Sequence, residues 1–220
     1  MLPSTYISES TLIIGVISLG TLLWAHRRDN RILIWVTKII ASTSFVVYAL
    51  QQGALDHLYG NALFAALVFS WAGDLFLIPK QGRYFLAGLL SFLVAHLCFS
   101  AAFTALIFDP VSWVASLAAI LLPGWALLRW ILPALRPKLK TPVLAYIITI
   151  GLMLSLALSL SWIREEPIYA IAAFVFCLSD MAVARERFMV QSFWNRAVGL
   201  PLYYGSQFLF AHSAALPPVL

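Results

Sequence analysis

Eight apolar runs take up almost the whole chain, at roughly 7 to 25, 32 to 50, 61 to 79, 84 to 107, 111 to 132, 141 to 162, 167 to 184 and 198 to 215. Each is close to the ~20 residues an α-helix needs to cross a bilayer. Hydrocarbon cannot hydrogen-bond the backbone, so only helices and closed barrels cross it. A barrel strand would alternate over ~10 residues, and these runs are continuous. The expectation is an all-α polytopic membrane bundle of eight transmembrane helices. With 62% hydrophobic and 10% charged residues and a mean hydropathy of +0.92, little remains for an extramembrane domain. No linker divides the chain, which reads as a single membrane domain over residues 1–220. The segment MLPSTYISES lacks a basic region, so the first helix is expected to stay as an anchor. Cys98 and Cys177 fall within runs, as small packing residues.

The formal charge is +5, but its distribution argues against nucleic acid. Of the fourteen Lys and Arg, twelve sit in alternate connections: Arg27, Arg28 and Arg31; Lys80 and Arg83; Arg129, Arg136, Lys138 and Lys140; Arg185, Arg187 and Arg196. The other connections hold only Arg164, and Lys38 lies inside the second run. This positive-inside bias places the basic loops in the cytosol and both termini on the non-cytosolic side. A multi-pass protein of a bacterial cytoplasmic membrane is expected, in contact with membrane lipid. VFSWAGD at 68–74 also echoes VFCLSD at 175–180. These lie on the third and seventh runs, as a duplicated four-helix unit with parallel 4+4 repeats would place them.

Asp74 and Asp180 interrupt two of these runs. A carboxylate at hydrocarbon depth costs at least ~2.5 kcal/mol, so such a residue faces a bundle interior or cavity and marks function by default. At 1.5 Å rise per residue, Asp74 lies ~9 Å inside the cytosolic boundary, counted from Lys80, and Asp180 ~8 Å, counted from Arg185. The same count puts Lys38 ~10 Å in, Tyr146 ~9 Å, Tyr203 ~10 Å and Gln207 ~16 Å. Polar groups from five helices therefore meet in one layer. His96, at ~20 Å, is expected to form the floor of a cavity rather than join that layer. A structural role competes at each position. The acids can pin helices through Lys38, Lys38 can snorkel to headgroups, and Tyr203, Tyr204 and Gln207 can glue helices together. His26, His57 and His212 sit at span ends away from His96, so no metal site and no cofactor are expected.

GDLFLIP, FLAGLLSFLVAHL, PVLAY at 142–146, LSD at 178–180, YYGSQ at 203–207 and the lone Lys38 together resemble the YhhN-type lysoplasmalogenase family, over roughly residues 35–210. That resemblance implies an eight-helix membrane hydrolase. Its substrate would be a lysophospholipid, a lysoplasmalogen, cleaved at the vinyl ether bond to a fatty aldehyde and glycerophosphoethanolamine or glycerophosphocholine. It also implies a site built from Lys38, Asp74, His96, Tyr146, Asp180, Tyr203 and Gln207. The two acids would be catalytic and the others would bind or support substrate.

The chemistry suits these residues. Protonating the β-carbon of a vinyl ether gives an oxocarbenium ion, which water captures as a hemiacetal that collapses to aldehyde and alcohol. Two carboxyls in an apolar cavity can divide these tasks, one holding a proton and the other a charge, as in glycoside hydrolysis. The competing reading is a proton-coupled transporter or lipid-binding membrane protein using the same pair. Broken helices with midplane Gly or Pro would favour a transporter, and the third and seventh runs have none.

Overall fold

The computed structural model describes residues 4–79 and 81–216; Lys80, one of the basic loop residues used above, lies outside them. Among the described residues there are eight α-helices, a short 3-10 turn at Leu132–Ala134 and no strand: α1 Ser4–Arg27, α2 Arg31–Gln51, α3 Leu58–Phe76, α4 Gly82–Leu106, α5 Pro110–Ile131, α6 Pro137–Arg164, α7 Ile168–Phe188 and α8 Phe193–Ser213. Six of them are long and apolar enough to cross a membrane: α1, α2, α4, α5, α6 and α7. The two that fall short are α3, with Asn61 and Asp74, and α8, with Asn195, Arg196, the tyrosine pair and Gln207. Asp74 on α3 and Asn195, Tyr203, Tyr204 and Gln207 on α8 are buried in the bundle, whereas Asn61 is exposed. The protein is an integral membrane protein.

Local chemistry sets the helix ends. The Asn30 side chain accepts from Leu33 N at 3.1 Å to start α2. Asp109 accepts from Ser112 N at 2.8 Å with Pro110 opening α5, where its fixed φ and missing N–H cost nothing. The α2–α3 turn needs Gly53 at φ +76°, a conformation that disfavours a Cβ.

In the bundle, α2 packs between α3 and α8, α3 on α4, α4 on α6, α6 on α7 and α7 on α8, closing a ring of six helices. Outside it, α1 lies on α2 and α8, and α5 lies on α6. Apart from Ile131, no residue of α5 is buried, and Val111, Leu121, Leu122 and Trp125 point outward, as lipid-facing residues do. Helices in lipid gain no hydrophobic drive from one another, so close packing and hydrogen bonds hold them. Gly73 and Gly88 provide that closeness between α3 and α4. A Cβ on Gly73 would lie 2.6 Å from the Phe92 ring, and one on Gly88 2.7 Å from Leu77. Ser91 adds a bond from its hydroxyl to Phe69 O at 2.7 Å. Gly199 plays the same part between α7 and α8, against Ala182. The centre of the ring is filled by Phe45, Phe92, Phe99, Phe176, Tyr203 and Phe210, in stacked and edge-on contacts.

Candidate active site

Asp74 ends the buried face of α3, on the turn where Gly73 lets α4 come close. Both oxygens of its carboxyl are partnered. Oδ2 accepts from Ser42 Oγ and from Tyr203 Oη, both at 2.7 Å, and Oδ1 lies 3.1 Å from Lys38 Nζ. Ser42 follows Lys38 by one turn of α2, so both face the acid. Tyr204 Oη, 3.1 Å from Ser42 Oγ, extends the network. Three donors, one of them cationic, thus converge on a side chain only 4% exposed.

Asp180 is held differently. Its side chain is 15% exposed, and its Oδ2 lies 3.5 Å from His96 Nε2. Tyr146 lines the same cavity and its hydroxyl faces this carboxyl. At 3.5 Å the His96 contact is close to, but short of, a formed hydrogen bond, and neither His96 Nε2 nor Asp180 Oδ2 has another hydrogen-bond partner. His96 is wholly buried. Its Nδ1 donates to Phe92 O at 2.6 Å, and its ring stacks on Phe176 at 4.6 Å and meets Tyr146 edge-on at 5.2 Å. The bond to Phe92 O commits the Nδ1 proton and turns Nε2 towards the acid. The two unpartnered atoms thus face each other.

His96 therefore joins the acid layer instead of forming a floor beneath it. Counting rise from the nearest loop base supposes parallel helices that start at one level. Here His96 is level with Phe176, one turn before Asp180 on α7.

One cavity of about 200 Å³ joins the two acids. Lys38, Asp74, Tyr146, Asp180 and Tyr203 line it, with Leu89, Phe92, Ile147, Ile150 and Leu200 as apolar walls and Leu127 and Ile131 of α5 on one side. It extends to Glu186, Asn195 and Arg196, at the end of α7 and start of α8. Gln207 is fully buried on α8, does not line the cavity, and has no hydrogen-bond partner for its amide. Among the described residues no three His, Cys, Asp or Glu side chains converge as a metal ligand set.

Ser42 and the trio Glu186, Asn195 and Arg196 were not legible as site residues. Serine is common in membrane helices, and its only signal was its i+4 spacing from Lys38. Arg196 read as a loop base, and nothing in the sequence singled out Glu186 or Asn195.

The contacts repeat at an interval of four helices. Asp74 on α3 is met from α2 and α8, and Asp180 on α7 from α6 and α4.

Comparison with known proteins gives the same direction. The sequence matches the YhhN family over residues 33–214, which takes in the six ring helices save the first two residues of α2. It is 30% identical over 166 residues to lysoplasmalogenase TMEM86A of Bos taurus and 33% identical over 169 residues to the Homo sapiens protein of that name, each match covering 73% of this chain and 68% of the relative. A Mycobacterium tuberculosis protein named lysoplasmalogenase is 33% identical over 164 residues, covering 70% of this chain and 60% of the relative. No solved structure matches the chain.

Proposed function

Since this chain belongs to the YhhN family, we propose that it is a membrane lysoplasmalogenase, hydrolysing the vinyl ether bond of lysoplasmalogens to a fatty aldehyde and a glycerophospho-headgroup alcohol. The observation that carries the mechanism is the unequal provision of the two acids. Asp74 is met on both oxygens by Lys38, Ser42 and Tyr203, whereas Asp180 Oδ2 and His96 Nε2 face each other with no other partner. Asp180 is accordingly the proton donor and Asp74 the fixed anion.

The Asp180 carboxyl gives its proton to the vinyl β-carbon, and the ether oxygen's lone pair forms the oxocarbenium ion. The Asp74 carboxylate, lining the same cavity, stabilises that cation electrostatically. Water adds to the cationic carbon and yields its proton to Asp180, restoring the acid. The resulting hemiacetal loses its hydroxyl proton while its glycerol oxygen gains one. The C–O bond breaks, leaving aldehyde and alcohol. His96 Nε2 stores or returns the Asp180 proton during these steps. General acid catalysis of this kind is worth ~10²- to 10⁴-fold.

The repeated contacts support a duplicated four-helix unit: moving four helices along the chain carries α2, α3 and α8 onto α6, α7 and α4. The loop charges support eight crossings of a bacterial cytoplasmic membrane by one domain, residues 1–220, with both termini outside and the acids in the cytosolic half. The lysolipid then enters from the cytosolic leaflet. Purified protein incubated with a 1-alkenyl lysophospholipid should release long-chain aldehyde; absence of aldehyde under conditions where the protein is folded refutes the activity.

A further inference from the structure

A zwitterionic lysolipid brings a phosphate and an ammonium to this cavity. Among the described residues lining it, the only cations are Lys38 and Arg196. Lys38 is committed to Asp74 at 3.1 Å, and drawing it onto a phosphate would strip a buried carboxylate of its counter-ion. Arg196 is placed otherwise. Its side chain is 37% exposed, at the end of the cavity away from the acids, and its guanidinium bonds Glu186 Oε1. Glu186 Oε2 accepts from Ser192 N at 2.7 Å and Asn195 Nδ2 at 3.0 Å, and Arg185 donates to Asn195 Oδ1 at 3.2 Å. The carboxylate is thus anchored through one oxygen and paired to a partly exposed cation through the other. Arg187, by contrast, lies over the Phe85 ring at 4.3 Å and does not line the cavity.

The spacing fits the lipid. Six residues of α7 separate Asp180 from Glu186, a rise of ~9 Å, and seven residues of α8 separate Arg196 from Tyr203, ~10 Å. In a lysoplasmalogen seven covalent bonds join the vinyl β-carbon to phosphorus, an extended reach of ~9 Å at ordinary bond lengths. With the vinyl ether beside Asp180, the phosphate therefore reaches the Glu186–Arg196 pair.

We propose that Arg196 and Glu186 form the headgroup subsite of this enzyme. Arg196 swings from Glu186 to the phosphate, and the freed Glu186 oxygen takes the ethanolamine or choline ammonium. One ion pair becomes two, with no net charge left in the cavity. The subsite selects zwitterionic lysolipids over those bearing a bare phosphate monoester, whose extra negative charge has no partner and faces Glu186. This inference rests on the alkenyl hydrolase reading above.

The test compares three substrates with the full-length purified protein: 1-alkenyl-glycerophosphoethanolamine, 1-alkenyl-glycerol-3-phosphate and 1-alkenylglycerol. The wild type should prefer the first to the second by about tenfold in kcat/KM, the worth of one charge-assisted bond. Glu186→Gln should bring that ratio towards one, with the effect falling on KM. Arg196→Gln should erase the advantage of both phosphate-bearing lipids over 1-alkenylglycerol. A general loss of fold lowers all three substrates together and leaves the ratios alone, so unchanged ratios in active variants overturn the subsite. Should Glu186→Gln fail to fold, because Glu186 also holds the α7–α8 turn, the wild-type series decides, and equal kcat/KM for the three lipids overturns it. A wild type that cleaves none of them overturns the hydrolase reading itself, and the subsite with it.

Discussion

Lys38 Nζ lies 3.1 Å from Asp74 Oδ1, on neighbouring helices, with the two side chains 11% and 4% exposed. An ion pair so enclosed contributes little net stability, because desolvation offsets most of its Coulomb energy, but removing one partner leaves the other charge stranded.

Lys38→Met should therefore destabilise the protein by about 3–5 kcal/mol. Adding Asp74→Asn should recover much of that loss, since the stranded charge is gone. Thermal unfolding in detergent checks both, and a double variant no more stable than Lys38→Met would deny that the pair acts as a unit. Neither variant should regain activity, because the fixed anion is weakened in one and absent in the other.

His96 and Asp180 should behave as one functional group. His96→Asn is expected to lower kcat by about 10²-fold. In an Asp180→Asn background the same change should cost almost nothing further, as for catalytic groups that work together. Equal effects of His96→Asn in both backgrounds would separate the histidine from the acid.

The charges at hydrocarbon depth were legible because they are so costly there: Lys38, Asp74 and Asp180 stand out from their runs without any structure. What surrounds them was less so. Ser42 and Tyr204 belong to types that pack membrane helices everywhere, and only the fold shows which of them reaches the acid. His96 was placed too deep because the residue count could not include the relative tilt and level of α4 and α7. Arg196 was read as a loop base because the apolar run starts later than the helix, which begins at Phe193 and carries Arg196 into the cavity wall. All eight helices coincide with apolar runs of the sequence, those of α3 and α8 included.

Topology can be read by labelling in a background with Cys98 and Cys177 replaced. Single cysteines at Gly82 and Lys138 should react only from the cytosolic side and one at Asp56 only from outside. Labelling at Gly82 from outside would invert the bundle and put the acids in the opposite leaflet.

The central claim is that Asp180 protonates the vinyl β-carbon, and the proton can be followed. Hydrolysis of a 1-alkenyl lysophospholipid in deuterium oxide, with the aldehyde trapped as it forms, should place one deuterium on the carbon next to the carbonyl. Asp180→Asn protein, folded and inserted, should release no aldehyde above background. Aldehyde without deuterium at that carbon, or full turnover by Asp180→Asn, would contradict the account.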